Sequence, residues 1–392
     1  MSGLAEVVYL DHAATTATRP PAVVHAMVEY LEEIGATPGR GGHRLAIAAE
    51  RVLLRCRQAL ARLLDIPGDP GRIAFMHNAT HALNTALAGL LRTGDRVVVT
   101  AYDHNAVLRP VHQLRVARGV QPVLVPGNAL GALDEAALDR AIDGARLLVV
   151  NGASNVLGTT LDIAALTARA HAAGALVLLD AAQLAGHGPL SAAGSGVDAM
   201  AITGHKGLLG PQGTGALWVR AGLAMEPLLT GGTGGDSLLP HMPEAFPDHL
   251  EAGTLNGPGI AGLAAGVELL LHDTIERLHA RLMGLKATLR DGLLAIPGLR
   301  VLTPAAPAGV PIVTVVADAL DPATFALRLD REHGVLVRPG LHCAPEVHRL
   351  LGTDRSGAVR FSLGASTTEA EVMRALEAVA QVVASASVAR HA

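Results

Sequence analysis

Aromatic residues are scarce in this chain of 392 residues, at 2%, and their scarcity removes the stacking platforms that hold single-stranded nucleic acid. No positive excess compensates. The 31 lysines and arginines face 35 aspartates and glutamates, for a formal net charge of -4, so the composition writes no basic stripe for a phosphate backbone. No apolar run reaches the roughly 18 residues of a membrane span, and the opening "MSGLAEVVYLDHAATT" has neither a basic leader nor an apolar core. A soluble, cytoplasmic chain acting on small molecules is expected, without nucleic-acid or membrane partners. Cysteine occurs twice, too rarely for a disulfide framework, and neither copy sits in a C-x-x-C spacing. The 18 histidines are scattered, with no H-x-x-x-H helix pair beside an acidic partner, so no metal site is expected. The most specific shortage is lysine: only Lys206 and Lys286 break a basic complement otherwise made of arginine.

A lysine amine can shed its proton and attack a carbonyl, whereas a guanidinium does neither. Lys286 lies in "ERLHARLMGLKATLRDGL", where apolar residues recur at helical spacing and basic ones fall between them, so it is expected on a solvated helix face. Lys206, in "ITGHKGLLGPQGTG", has no periodic context. Taken alone it reads equally well as a surface-loop lysine and as a Schiff-base amine.

Half of the residues are hydrophobic, enough for a large core, and the length suggests a large domain with a smaller one. Between about residues 72 and 220, apolar runs alternate with helical patterns long enough to cross over a parallel sheet. The predicted strands are "RIAFMH", "RVVVT", "QPVLVP", "RLLVVN", "ALVLLD", "AMAIT" and "GALWVR". Their continuous apolar character predicts a mainly parallel seven-stranded α/β sheet with helices on both faces. Later, "PIVTVVA", "GVLVRPG" and "AVRFSLG" interleave with helices as a smaller α+β unit. The pattern changes near residue 260.

Ligands of open α/β sheets sit beyond the carboxyl ends of the strands, and there the sequence turns polar. "RIAFMH" leads to Asn78, Ala79 and Thr80 at a helix start, where Thr80 suits a helix cap and the amides suit a phosphate. "RVVVT" leads to Asp103, His104 and Asn105, "RLLVVN" to Ser154 and Asn155, and "AMAIT" to His205 and Lys206. "ALVLLD" ends in Asp180, with Gln183 one turn on; a carboxylate buried there needs a cationic or hydrogen-bonding partner. His104 alone reads as a loop histidine, and "GPQGTG" matches no established phosphate loop. Together, one amine, one buried carboxylate, a helix-start phosphate site and a flat ring donor meet the demands of pyridoxal 5'-phosphate.

Cys56 shares a helical apolar stripe with Leu53, Leu60 and Leu63 and reads as inert core. Cys343, in "VRPGLHCAPEV", lies in a predicted loop near Arg338 and His342. Positive neighbours favour a nucleophilic thiolate there, and packing in a turn is the competing reading. In "AVRFSLG" the alternation brings Arg360 out of a half-buried strand, suited either to a substrate carboxylate or to a structural salt bridge.

In order along the chain, "YLDHAATT", "PGRGGHRLA", "NATHALN", "YDHNAVLRP", "ASNVLGT", "LLDAAQ", "TGHKGLLGPQGTG", "EAGTLNGPGIAG", "RPGLHCAP" and "VRFSLG" resemble the class V aminotransferase-like, fold-type I pyridoxal-phosphate enzymes, and among them cysteine desulfurases and selenocysteine lyases. The resemblance implies a large domain over residues 16–260 and a small one made of residues 1–15 and 261–392. It implies that Lys206 holds the cofactor as a Schiff base, Asp180 pairs with the ring nitrogen, His104 stacks on the ring and Gln183 bonds the phenolic oxygen. Ala79, Thr80, Thr203 and His205 would hold the phosphate, with Thr254 reaching it from a second subunit of a homodimer. Asn155 and Arg360 would bind the carboxylate of L-cysteine or L-selenocysteine. Cys343 would take the sulfur, leave alanine, and pass its persulfide to an acceptor protein or small thiol.

The chain departs from the family pattern in places. "GLHCAP" lacks the paired histidines common in part of the family and is the short form of the loop, His12 stands where asparagine or serine is usual, and Thr203 replaces a frequent serine. The rival activities are a selenocysteine lyase or another carbon-sulfur lyase; transamination would give Cys343 nothing to do. A silent scaffold of a sulfur-transfer complex is the non-enzymatic alternative, and the intact Lys206, Asp180, Cys343 and Arg360 set argues against it.

Overall fold

The computed structural model describes residues 7–39, 41–233, 238–305 and 309–391; the opening six residues and Arg40 of "PGRGGHRLA" lie outside them. The described strands are β1 (Val8–Tyr9), β2 (Ile73–Met76), β3 (Arg96–Thr100), β4 (Gln121–Val125), β5 (Leu147–Asn151), β6 (Leu176–Asp180), β7 (Ala199–Thr203), β8 (Gly215–Val219), β9 (Leu299–Val301), β10 (Ile312–Ala317), β11 (Val335–Leu336), β12 (Arg338–Gly340) and β13 (Ala358–Ser362). Seven form one sheet in the order β2-β8-β7-β6-β5-β3-β4. It is mostly parallel, as the apolar runs predict. β8 alone runs antiparallel to both its neighbours, so its amino end meets the carboxyl ends of β2 and β7.

Successive side chains of a strand point to opposite faces, and here both sets are apolar. Val98, Leu148, Val150 and Leu179 join one core cluster, and Val97, Val99, Val149 and Leu178 join the other. Burial of both faces explains why these strands carry no polar alternation. The edge strand β4 departs from that expectation: Gln121 and Pro122 are exposed.

A second sheet, β12-β13-β10-β9, is antiparallel, and β1 pairs with β11. The run "GVLVRPG" divides at Val337 into β11 and β12. β13 is buried along its whole length, where the alternation predicts a half-buried strand. Residues 8–16 tie the two sheets together. β1 lies with the second sheet's elements, while the Thr16 amide and hydroxyl each donate at 2.9 Å to the carbonyls of His205 and Lys206.

Lys286 corrects its sequence reading. It is 3% exposed in the helix Ile275–Leu294, with Nζ 3.3 Å from the Gly158 carbonyl. Spacing explains this, since Leu282, Lys286, Leu289 and Leu293 form one buried stripe. Among the described residues no helix is long and apolar enough to cross a membrane.

Candidate active site

The polar strand ends converge. Ala79, Thr80, His104, Asn155, Asp180, Gln183, Thr203, His205 and Lys206 line one cavity of about 170 Å3. Sequence reasoning left Asn151, Ala153, Ala106, Leu83 and Ala182 out of this wall; their position just past strand ends or one helical turn on was the available signal.

The helix Ala79–Leu90 points its amino end into the cavity. Asn78, not Thr80, caps it, its Oδ1 accepting from the His81 amide at 3.0 Å. Capping by the residue before the helix leaves the first amides, Ala79 and Thr80, without intrahelical partners. Opposite them, buried Thr203 Oγ1 and His205 Nδ1 have no hydrogen-bond partner. Burial, followed by the charges of Lys206 and Arg19, pulls His205 down to about 4, so near neutrality its ring is an uncharged donor. Gly215 allows this convergence: a Cβ there would lie 2.6 Å from the Ile202 carbonyl and 2.7 Å from Asn78 Cα.

At the centre, Lys206 is half-buried and its amine is pulled down to about 8. Burial is the main cause, Asp180 opposes it, and Arg360 and Arg338 add to it. Tight packing fixes the lysine's backbone, since a Cβ on neighbouring Gly207 would lie 2.6 Å from the Ala185 carbonyl. Asp180 is 5% exposed; burial raises its carboxyl while the Ala182 amide, donating at 3.0 Å, and Lys206 lower it. Behind it, fully buried Asp103 is pushed up to about 8 by burial, with the Asp180 charge adding to the effect. Burial thus favours the neutral form of Asp103, while the Ala182 amide and the Lys206 charge favour the anion of Asp180.

His104 caps the helix Asn105–Arg118 through Nδ1, which accepts from the Ala106 amide at 3.0 Å. Nδ1 is thereby an acceptor, and burial together with Lys206 and three arginines lowers the ring to about 4. It presents a neutral flat face. Gln183 donates Nε2 to the Ala13 carbonyl at 3.0 Å, while its Oε1 is unpartnered.

Three predicted residues stand outside this lining. Arg360 is 2% exposed; it donates to the Asn155 carbonyl at 3.2 Å and to Asp11 Oδ1 at 2.8 Å, and its Nε has no partner. Cys343 is half-buried at the rim, its carbonyl accepting from the Asn105 amide at 2.7 Å, directly beside His104. Thr254 is exposed and lines a separate groove with Gly41, Arg57 and Glu251. Cys56, by contrast, is fully buried, and burial pushes its thiol far up.

The arrangement can hold a small anion at a helix start, a protonated ring nitrogen on a carboxylate, and an aldehyde on an amine. The family model described as Aminotransferase class-V matches residues 8–375. A probable cysteine desulfurase of Methanothermobacter thermautotrophicus is 36% identical over 384 residues, covering 94% of this chain and 93% of the relative. A cysteine desulfurase of Rhodobacter capsulatus is 31% identical over 390 residues, covering 96% of each. Among solved structures, the apo cysteine desulfurase from Thermococcus onnurineus NA1 superposes with a TM-score of 0.91 at 32% identity, covering 97% of this chain and 96% of that one. The cysteine desulfurase CsdA (S-sulfonic acid) from Escherichia coli gives 0.88 at 29% identity, with 97% and 95% covered.

Proposed function

Because the chain belongs to the aminotransferase class-V family, we propose that it is a pyridoxal 5'-phosphate-dependent cysteine desulfurase that converts L-cysteine to L-alanine and retains the sulfur as a persulfide on Cys343. The observation that carries this reading is the docking of the Cys343 carbonyl on the Asn105 amide, which brings this cysteine next to two lining residues, His104 and Ala106, of the cavity that holds Lys206 and Asp180, with the Cys343 charge acting on Lys206. The orphaned atoms fit the cofactor: Thr203 Oγ1 and His205 Nδ1 suit its phosphate beside the Ala79 and Thr80 amides, and Gln183, in the same lining, leaves Oε1 free for a polar group of the ring. When bound, the cofactor supplies an aldehyde that condenses with amines and a ring that accepts electrons released at the substrate α-carbon.

Lys206 would hold that aldehyde, and its free amine would take the substrate α-proton through Nζ. An amine near 8 suits both uses, because protonated and free forms coexist near neutrality. Asp180, whose anion the Ala182 amide and the Lys206 charge favour, would pair with the protonated ring nitrogen. His104 would offer its uncharged face to the cofactor ring. Arg360, through its unpartnered Nε, and Asn155, through the Nδ2 hydrogen not given to the His342 carbonyl, orient the substrate at its carboxylate end. The Cys343 thiolate attacks the substrate sulfur: an S–S bond forms, the C–S bond breaks, and the electron pair left on carbon takes a proton. The balance is L-cysteine plus the Cys343 thiol giving L-alanine plus the Cys343 persulfide, whose outer sulfur passes to the thiol of an acceptor protein or small molecule as the Cys343 thiol is restored.

In the same reading, residues 16–260 form the cofactor domain, and residues 1–15 with 261–392 carry Cys343 and Arg360 to it. Thr254, exposed outside the cavity, serves the phosphate of a second copy in a homodimer. The test is alanine and sulfide formation from L-cysteine under a reducing thiol. Equal yields are expected from the wild type, with a loss of at least about 100-fold in Cys343→Ser. Alanine from L-selenocysteine but none from L-cysteine would transfer the assignment to a selenocysteine lyase.

A further inference from the structure

We propose that His348 is a positioning residue for Cys343, acting through a buried hydrogen-bond chain from Thr353 through His348 and His342 to the Arg338 carbonyl. Its catalytic consequence rests on the desulfurase reading; its effect on the cysteine loop does not.

His348, in the helix Pro345–Leu350, is 0% exposed, and His342 and Thr353 are 5% and 2% exposed. The Arg338 carbonyl can only accept, so His342 Nε2, 3.0 Å away, carries its ring proton. His342 Nδ1 is then bare and takes the Nε2 proton of His348 at 3.2 Å. His348 Nδ1 in turn accepts from the Thr353 hydroxyl at 2.8 Å. One arrangement of protons satisfies every link, and the two rings lie edge to edge along it, with centroids 5.4 Å and planes 26° apart. Burial is the main force lowering His342 to about 3 and His348 to about 4, so the chain is neutral at working pH.

The loop needs such an anchor. His342 and Cys343 have left-handed backbones, with φ of 50° and 56°, a conformation that residues with side chains adopt only when their surroundings enforce it. On the cavity side, Asn155 Nδ2 donates to the His342 carbonyl at 2.6 Å and the Asn105 amide to the Cys343 carbonyl at 2.7 Å. On the other side the imidazole chain grips the His342 ring. Both nitrogens of His342 are thereby occupied, so the histidine adjacent to the reactive thiol orders the loop and is not the base that ionises Cys343.

The test uses the holoenzyme and the variants His348→Leu, His348→Gln and Thr353→Val. The first readout is the rate of Cys343 alkylation by iodoacetamide, followed by peptide mass. The second is the separation of kcat from KM for alanine formation from L-cysteine. His348→Leu should speed alkylation and lower kcat, each by about tenfold or more, with KM within about twofold. Thr353→Val should move both in the same direction by less, and it carries the test if His348→Leu does not fold. His348→Gln can donate to His342 and accept from Thr353, so it should come within about threefold of wild type. Unchanged alkylation and kcat in His348→Leu and Thr353→Val, even with a lowered Tm, would overturn the proposal. Alkylation needs no amino-acid substrate; a wild type that makes no alanine from L-cysteine would sink the desulfurase reading while faster alkylation in the variants still supports the positioning role.

Discussion

A buried ammonium is destabilising unless a neighbour or a lost proton relieves it, and the two lysines meet this condition differently. Lys206 has Asp180 in the same cavity wall, whose charge opposes the loss of its proton. Lys286 has the Gly158 carbonyl, and burial followed by the Arg290 charge holds it near 8, below the free value of 10.5. Between pH 8 and 10.5 the unfolded chain therefore binds more protons at this site than the folded one, and stability rises with pH. Lys286→Met should stabilise the protein at pH 7 by on the order of 1–3 kcal/mol, an advantage that shrinks at pH 9.5. Urea denaturation at the two pH values checks it; an advantage equal at both would remove the titration argument. Lys206, Asp180 and His104 are legible in the sequence because strand ends are where such residues gather. Lys286 is not, because its charge outweighs, on the page, its place in the Leu282, Leu289 and Leu293 stripe.

Elements decide how the cavity's anion end is built. The start of the helix Ala79–Leu90 is held by the Asn78 side chain, so Asn78→Ala should cost about 1 kcal/mol and weaken cofactor retention by letting the Ala79 and Thr80 amides fray. Denaturant unfolding of the apo protein reads the first effect and cofactor loss on dialysis the second. An unchanged retention would mean that Thr203 and His205 alone hold the phosphate. The seven strands of the large sheet stand out in the sequence through their apolar runs. Two short strands, β1 and β9, do not, because two or three residues carry no periodicity and only tertiary pairing makes them strands. The cap falls on Asn78 and not on Thr80 for a related reason: both suit a helix start, and local sequence does not choose between them.

Across the whole molecule, residues 8–16 join the two sheets at the cavity: β1 pairs with β11, Asp11 holds Arg360, and Thr15 and Thr16 hold the carbonyls of His205 and Lys206. Asp11→Asn leaves a buried guanidinium without its carboxylate. It should lower stability by about 1–3 kcal/mol and raise KM for the amino-acid substrate more than it lowers kcat. A urea titration and steady-state kinetics test both, and an unaltered KM would detach Arg360 from substrate binding. This coupling is invisible in the sequence because the partners lie hundreds of positions apart. The scarcity of lysine has a further consequence at this scale. With one side-chain amine at the cavity and the other buried, amine-selective acylation has almost nothing to mark on the protein's surface. On the proposed function, acylation at Lys206, weighed by mass, would gauge the fraction of a preparation that lacks its cofactor, even in a mixture too dilute or too coloured for spectroscopy.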